Sequence, residues 1–446
     1  MAQTILVTGA TGYIASRLIP RLLSAGYQVR CLARNPAGLK GRAWYPQVDV
    51  VVGDVTLPDT LQSAMLGISA AYYLIHNMSA GHGYHRLDLE SARNFSQAAL
   101  AAGVEHIIYL GGLANPSETD LSMHMRSRIE SGMVLREAGV PVTEFRAGVV
   151  VGPGSVSFEM IRFIAEQFPL MVGPQWLRHH SQPVATHNVL DFLMAALTTP
   201  AARGKVIEIG SQEVFSYIEI MARYAKIRGL KRMPLLLPIV PVWFMAYFIS
   251  ILTPVQRSYA FPLVDGLKND SLVQDRSPLD LFPQIELLDY TTAVQLALQE
   301  THPTNVERVW LDQDHESAQI RHEGMFIDYR RAHSAEPAEI LFKRICEAAR
   351  GNGPRIGLLS SFKVEFITED TLRLKASQKL PGDFWLEWKL TAGTAVARGT
   401  CLEQTAFFAP KGLPGFLCAY LFGPFQRYSL RKFLERLLAQ PVVGSV

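Results

Sequence analysis

The stretch Thr4-Ile5-Leu6-Val7-Thr8-Gly9-Ala10-Thr11-Gly12-Tyr13-Ile14-Ala15 constrains the fold more than any other part of the chain. An apolar, β-branched run ends in a glycine turn. It then enters a segment with Ile14, Leu18, Ile19, Leu22 and Leu23 at helical spacing, so strand, tight loop and helix follow in order. Gly9 is free to take a backbone conformation closed to other residues, and Gly12 lets the loop approach a ligand with no Cβ in the way. The unpaired N–H groups of the new helix favour a phosphate above the loop. This is the opening of a dinucleotide-binding βαβ unit, with Gly9, Thr11, Gly12, Tyr13 and Ile14 as its phosphate-loop residues. Ala15 at the third small position still permits close helix–sheet packing.

The following strand ends select the dinucleotide and the places it touches. Tyr27–Ala33 alternates and ends at Arg34, where an NAD site usually carries an acidic residue and an arginine accommodates a 2′-phosphate. Arg34 therefore points to NADP(H), with Lys40 or Arg42 as helpers and NAD(H) left open. The continuous apolar run Val50–Val52 reads as a strand buried on both faces and ends in Gly53-Asp54-Val55, a candidate adenine contact. A second such run ends at Leu74-Ile75-His76, where the nicotinamide ribose is expected. Helix 87–102, strand 105–110 leading into Gly111, helix 126–138 and strand 142–146 continue the alternation. Together they predict an α/β fold with a doubly wound parallel sheet.

Thr8–Ala15, the Gly53-Asp54-Val55 turn and Phe145-Arg146-Ala147-Gly148-Val149-Val150-Val151-Gly152-Pro153-Gly154 resemble short-chain dehydrogenase/reductases, and within them the atypical, NmrA-like NAD(P)-binding branch. The resemblance covers residues 1–300 and implies a Rossmann-type fold and a nicotinamide cofactor. It breaks at the catalytic set. Standard members carry a serine after the fifth strand and a Tyr-x-x-x-Lys pair on the next helix, whereas this chain has Gly111-Gly112, His124 and Arg128 at those places. His124 and Arg128 are four apart and share a helix face. Two readings stand: His124 is an acid/base whose pKa Arg128 lowers, or the fold is retained without proton-transfer machinery and His124 is a surface residue. Ser122 is a further hydroxyl near enough to stand in.

At 446 residues the chain is too long for one core, so two domains are expected, 1–300 and 305–446. A net charge of only +3 gives no reason to expect a nucleic-acid partner. The four cysteines, Cys31, Cys346, Cys401 and Cys418, have no pairing or metal spacing, and neither does the His179-His180 pair. No metal is expected. The first strand begins at residue 4 and leaves no room for a signal peptide, which points to the cytoplasm. Residues 233–252 contain no charge and are long enough to span a bilayer, yet Pro234, Pro238 and Pro241 break the first half. A pocket lid, a peripheral contact with the inner face of the cell membrane, and a span are the three readings. Residues 305–350 read as charged and partly helical, with a helix over 337–349. Runs at 362–367, 371–376, 384–390 and 400–407 alternate with period two, and a helix over 416–438 closes the chain. That arrangement resembles a helix-grip domain of the START or polyketide-cyclase kind, and the bacterial domain of unknown function fused to NmrA-like proteins. The stretch from Gly351 to Phe362 is short for it. Phe408, Phe416, Tyr420, Phe422 and Phe425 form an aromatic cluster that suits a core or a membrane.

Three functions follow as expectations. The first is an NADP-dependent oxidoreductase of an apolar carbonyl or quinone-like molecule. The second is a non-catalytic NADP(H)-binding redox sensor or assembly factor. The third is a membrane-surface lipid or quinone binder. The oligomeric state is left open.

Overall fold

A computed structural model describes residues 3–115, 120–253, 255, 257–312, 316–350, 362–392 and 399–439. They fall into two compact units: Met1–Glu300 with Glu307–Asp312, and Thr301–Val306 with Gln313–Val446. The exchange at the junction has a local cause in each unit. Glu307 pairs with Arg42 at 2.8 Å in the first, and Thr304 accepts a hydrogen bond from Arg373 at 2.6 Å in the second.

The first unit is built on strands β1 (Thr4–Thr8), β2 (Gln28–Ala33), β3 (Asp49–Val52), β4 (Ala70–Tyr73), β5 (His106–Gly112), β6 (Val142–Ala147) and β7 (Val206–Ile209). All pair in parallel in the order β7-β6-β5-β4-β1-β2-β3. The order reverses between β1 and β4, and ligands of such sheets sit beyond the carboxyl ends at this switch. Successive residues of β1 point to opposite faces. Ile5 and Val7 join a core with Leu18, Ile19 and Leu22 of α1 (Tyr13–Ser24), and Leu6 joins the core on the other face with Phe95 and Leu135. That second face is covered by α2 (Leu61–Met65), α3 (Tyr84–Ala101) and α4 (Met123–Glu137). The expected doubly wound sheet is the observed one. One strand departs from its reading: β3 is the sheet edge, and Val52 is 62% exposed, because no further strand covers it.

Beyond β6 the chain adds α5 (Val156–Gln167), α6 (Thr186–Thr198), α7 (Tyr217–Ile227), α8 (Val242–Leu252), α9 (Arg257–Gly266) and α10 (Tyr290–Glu300). The uncharged 233–252 segment divides at its prolines. Met233–Leu237 pairs in parallel with Leu170–Pro174, and Pro241 stands at the N-cap of the 11-residue α8. Among the described residues no helix is long and apolar enough to cross a membrane, which removes the spanning reading of this segment.

The second unit is a six-stranded antiparallel sheet: β8 (Ser317–His322), β9 (Met325–Ser334), β10 (Phe362–Ile367), β11 (Thr371–Ala376), β12 (Gly382–Ala392) and β13 (Thr400–Pro410), ordered β8-β9-β13-β12-β11-β10. It is accompanied by α11 (Ala338–Arg350) and the 28-residue α12 (Gly412–Ala439). Leu341 and Ile345 of α11 and Leu430, Leu434 and Leu437 of α12 share one core with Leu372, Leu386, Trp388 and Leu402 of the sheet. The reading of 305–350 as partly helical holds for α11, and the β8–β9 hairpin is an addition that it did not include. Its turn is Glu323-Gly324, both with positive φ (45° and 78°), the backbone that a two-residue hairpin requires. The aromatic cluster divides: Phe408 and Phe416 are buried, while Tyr420, Phe422 and Phe425 are exposed. The short stretch 351–361 lies outside the described residues.

Candidate functional site

The switch point opens into a cavity of about 490 Å³ in the first unit. Gly9 takes φ +68°, and a Cβ there would stand 2.6 Å from the Leu74 carbonyl oxygen, so the turn accepts only glycine without rearrangement. The Gly12 amide donates to the Gly9 carbonyl at 2.7 Å and Gly12 opens α1, whose N-cap carries no side-chain cap. The first turn holds no acidic residue, so its amides present a positive end to the cavity. The Thr8 hydroxyl donates to the Tyr72 carbonyl at 3.0 Å and accepts from the Leu74 amide at 3.1 Å. That pair of bonds fixes the Leu74–His76 segment beside the loop.

Of the residues expected to hold a cofactor, Gly9, Gly12, Tyr13, Ile14, Leu74, His76 and Gly111 line this cavity. Thr11, Arg34, Asp54, Val55 and Ile75 do not. Val55 is a core residue, and Ile75 packs against that same core. The Asp54 carboxylate accepts from the Thr56 amide and hydroxyl at 2.9 and 2.8 Å, closing its own turn. Arg34 is exposed just past β2. Arg42 is not available as its helper: its guanidinium is buried between Glu307 and the Gly38 carbonyl.

His124 and Arg128 both line the cavity. His124 is only 5% exposed, which corrects the surface reading. The reason lies in α4, which begins at Met123 rather than 126: Ser122 caps it by accepting from the Met125 amide at 3.3 Å. That bond makes Ser122 the cap of α4, and Ser122 is not among the residues that line the cavity. Burial, reinforced by Arg128, pushes the His124 pKa down to about 3, and the ring is neutral near pH 7. Its Nδ1 makes no hydrogen bond among the described residues. His76 is held well below its ordinary value by burial, then by Arg128 and His124.

Arg128 is half-buried. Its guanidinium makes no salt bridge or hydrogen bond among the described residues, while its carbonyl accepts from the Tyr109 hydroxyl at 2.9 Å. Burial lowers its pKa while Tyr109 and Asp88 oppose that, and an arginine keeps its charge at neutral pH. The glycine pair of β5 gives it room. A Cβ on Gly112 would lie 3.0 Å from Met125 Sδ and 3.4 Å from Arg128 Cγ. Asp88, for which the sequence offered no signal, ties the surroundings together. It accepts from the Asn77 amide at 2.7 Å and the Ser127 hydroxyl at 2.6 Å, joining the loop after β4 to α3 and α4.

Past Arg128 the cavity turns apolar. Ile161 and Ile164 of α5, Met171, Trp176, Met221 of α7, Met245 and Ile249 of α8, and Tyr259 and Leu263 of α9 form its walls. Of these walls the uncharged 233–252 run was singled out from sequence; the rest are apolar residues brought together by the fold. His179 and His180 both turn their Nδ1 toward Asp270, at 3.3 and 3.8 Å, and stand outside the cavity.

Comparisons with known proteins bear on this geometry. Residues 9–134 match the family model described as NAD(P)H-binding. The chain is 25% identical over 300 residues to a protein named putative dihydroflavonol 4-reductase from Synechocystis sp., a match covering 60% of this chain and 85% of that one. It is 29% identical over 151 residues to a photosystem II assembly factor of Cyanophora paradoxa, covering 32% of this chain and 44% of that one. An NADPH-dependent quinone oxidoreductase of Escherichia coli, solved with NADPH, superposes with a TM-score of 0.54 at 21% identity, over 66% of this chain and 99% of that chain. The structural likeness shows the fold. The first unit thus carries an NAD(P)H-binding domain of Rossmann type. The likeness to atypical, NmrA-like short-chain dehydrogenase/reductases read from its motifs is supported for this unit.

Proposed function

We propose that the first unit is an NADPH-dependent reductase of an apolar carbonyl or quinone-like acceptor. The observation that carries this reading is the position of Arg128. A cation whose guanidinium has no salt bridge or hydrogen bond among the described residues shares one cavity with the glycine loop and with an apolar chamber. The residues fit a dinucleotide: Gly12 keeps a side chain out of the loop, and the uncapped start of α1 faces the same space. Gly9, Gly12, Tyr13 and Ile14 would hold its phosphates, and Leu74, His76 and Gly111 would flank the nicotinamide half. Arg34 at the end of β2 supports NADPH over NADH.

When bound, the cofactor supplies a hydride. An acceptor carbonyl that takes the hydride gains negative charge on oxygen, and Arg128 is placed to hold that charge in a poorly hydrated site. His124 would donate a hydrogen bond to the same oxygen as a neutral ring. With its pKa pushed down to about 3 it is no reservoir of protons at neutral pH, so the proton that completes the reduced product comes from water.

The test is steady-state turnover of a water-soluble benzoquinone with NADPH. Arg128→Ala should lower kcat about 100-fold, or ~2.7 kcal/mol, while NADPH still binds by calorimetry. His124→Gln should cost about fivefold. Unchanged turnover in Arg128→Ala would sink the proposed role. A wild-type protein that binds NADPH and reduces no quinone, dye or aldehyde would favour the second reading, a non-catalytic NADP(H) sensor or assembly factor. That reading draws support from Gly111-Gly112 in place of a hydroxyl and from the likeness to an assembly factor. For the second unit, the long helix α12 packed on an antiparallel sheet supports the helix-grip reading.

A further inference from the structure

We propose that α8 and the strand pair beside it seat the first unit on a lipid bilayer bearing anionic headgroups, and that the cavity draws its acceptor from that bilayer. This rests on the reductase reading for what the acceptor becomes, but not for the docking itself. α8 divides cleanly. Met245 and Ile249 are buried and line the chamber, while Trp243, Phe244, Tyr247 and Ile251 are exposed, Trp243 by 65% and Ile251 by 59%. One helix is thus the partition between the chamber and the outside, and both of its faces are apolar. Val172 lines the chamber and is also 43% exposed, so the apolar surface and the chamber wall are continuous.

The strand pair extends the patch, with Leu170, Met233, Leu235 and Leu237 exposed as well. Contiguous apolar surface of this kind on a folded unit marks an interaction site. Its chemistry favours a bilayer over a protein. Residues 233–252 hold no charge, and Trp243 and Tyr247 are the residue types that settle where hydrocarbon meets headgroup. Exposed Lys226 and Lys231 precede the patch in the chain and make no ion pair among the described residues, which suits anionic lipid. At 11 residues, about 17 Å long, α8 is too short to cross and long enough to lie in the interface.

The experiment is co-sedimentation of the 446-residue chain with phosphatidylcholine vesicles, with and without phosphatidylglycerol. It is run beside NADPH turnover of two probes, a water-soluble benzoquinone and a long-chain benzoquinone dissolved in the vesicles. Wild type should pellet with the phosphatidylglycerol vesicles. The triple variant Trp243→Gln/Phe244→Gln/Ile251→Gln should lose about tenfold or more of that binding. It should keep turnover of the soluble probe and lose turnover of the vesicle-borne one by a similar factor. Wild type remaining in the supernatant, or a variant that pellets equally, overturns docking while soluble-probe turnover still upholds the reductase reading. A wild-type dimer that the variant converts to monomer also overturns it, assigning the patch to a second copy. Vesicle binding lost in the variant, with no turnover of either probe in wild type, keeps the docking surface and removes the reductase.

Discussion

At the glycine-loop end of the cavity the walls are mostly backbone; at the chamber end they are side chains. The first end is made by Gly9, Gly12, the Leu74–His76 segment and Gly111, each at the carboxyl end of a strand of one sheet. The second collects single residues from α5, α7, α8, α9 and the 171–177 stretch, none of which belongs to that sheet. The contrast separates what the two ends can tolerate. A backbone-built end fails at once when a Cβ intrudes, and it accepts one kind of ligand. A wall of side chains changes size by substitution, and its ligand changes with it.

The largest effect expected is at the backbone end. Gly9→Ala must place a Cβ against the Leu74 carbonyl at φ +68°, and NADPH affinity by calorimetry should fall more than about 100-fold (~2.7 kcal/mol). Affinity within threefold of wild type would erase the distinction between the ends. Filling the chamber with Ile161→Trp should leave NADPH affinity within about twofold while lowering kcat/KM for a quinone roughly 30-fold (~2 kcal/mol). Equal damage to both would mean that the ends are one site. Arg34→Ala should weaken NADPH about tenfold (~1.4 kcal/mol) and leave NADH unmoved, since its charge has only the 2′-phosphate to meet.

The smallest effect concerns protons. His124 and His106 are held down to about 3 and about 4 by burial, against an ordinary 6.5. The unfolded chain takes up protons near 6.5 and the folded chain does not. Their contribution is therefore fully present above 6.5 and is lost as pH falls toward those lower values, by about 1.4 kcal/mol per unit for each fully buried ring. Urea unfolding of His106→Gln should show a shallower decline between pH 7 and 5 than wild type does. A parallel decline would leave that ring without a part in acid stability.

The same contrast decides what could be read in advance. Gly9, Gly12 and Arg34 stand at strand ends whose periodicity is plain, and a glycine turn between a strand and a helix has a backbone meaning that no tertiary contact is needed to interpret. The four-residue spacing of His124 and Arg128 was equally plain, but not their burial. Burial depends on Ser122 starting α4 three residues earlier and on Gly112 letting the helix approach β5. Met171, Trp176 and Met221 carried no signal, since an apolar residue that faces a cavity looks like one that faces a core. The β8–β9 hairpin escaped because half its positions are polar and its turn puts Glu323, not an asparagine or aspartate, before Gly324. Thr56 and Glu307 show the converse: Asp54 and Arg42 sit where ligand-holding residues belong, and their side chains are already engaged.

One short contact joins the two halves of the first unit. The Tyr13 hydroxyl and the Thr186 hydroxyl lie 2.9 Å apart, and the Thr186 hydroxyl also reaches the Val151 carbonyl at 3.1 Å. They meet over Gly152, where a Cβ would stand 2.2 Å from one hydroxyl and 2.4 Å from the other. Tyr13 belongs to the loop that would receive phosphates, and Thr186 is the first residue of α6. If a phosphate stills the loop, this contact predicts slower hydrogen exchange at the amides around Val184–Asn188 when NADPH is added. Cofactor occupancy would then be a message in hydrogen exchange, written far along the chain from the residues that receive it.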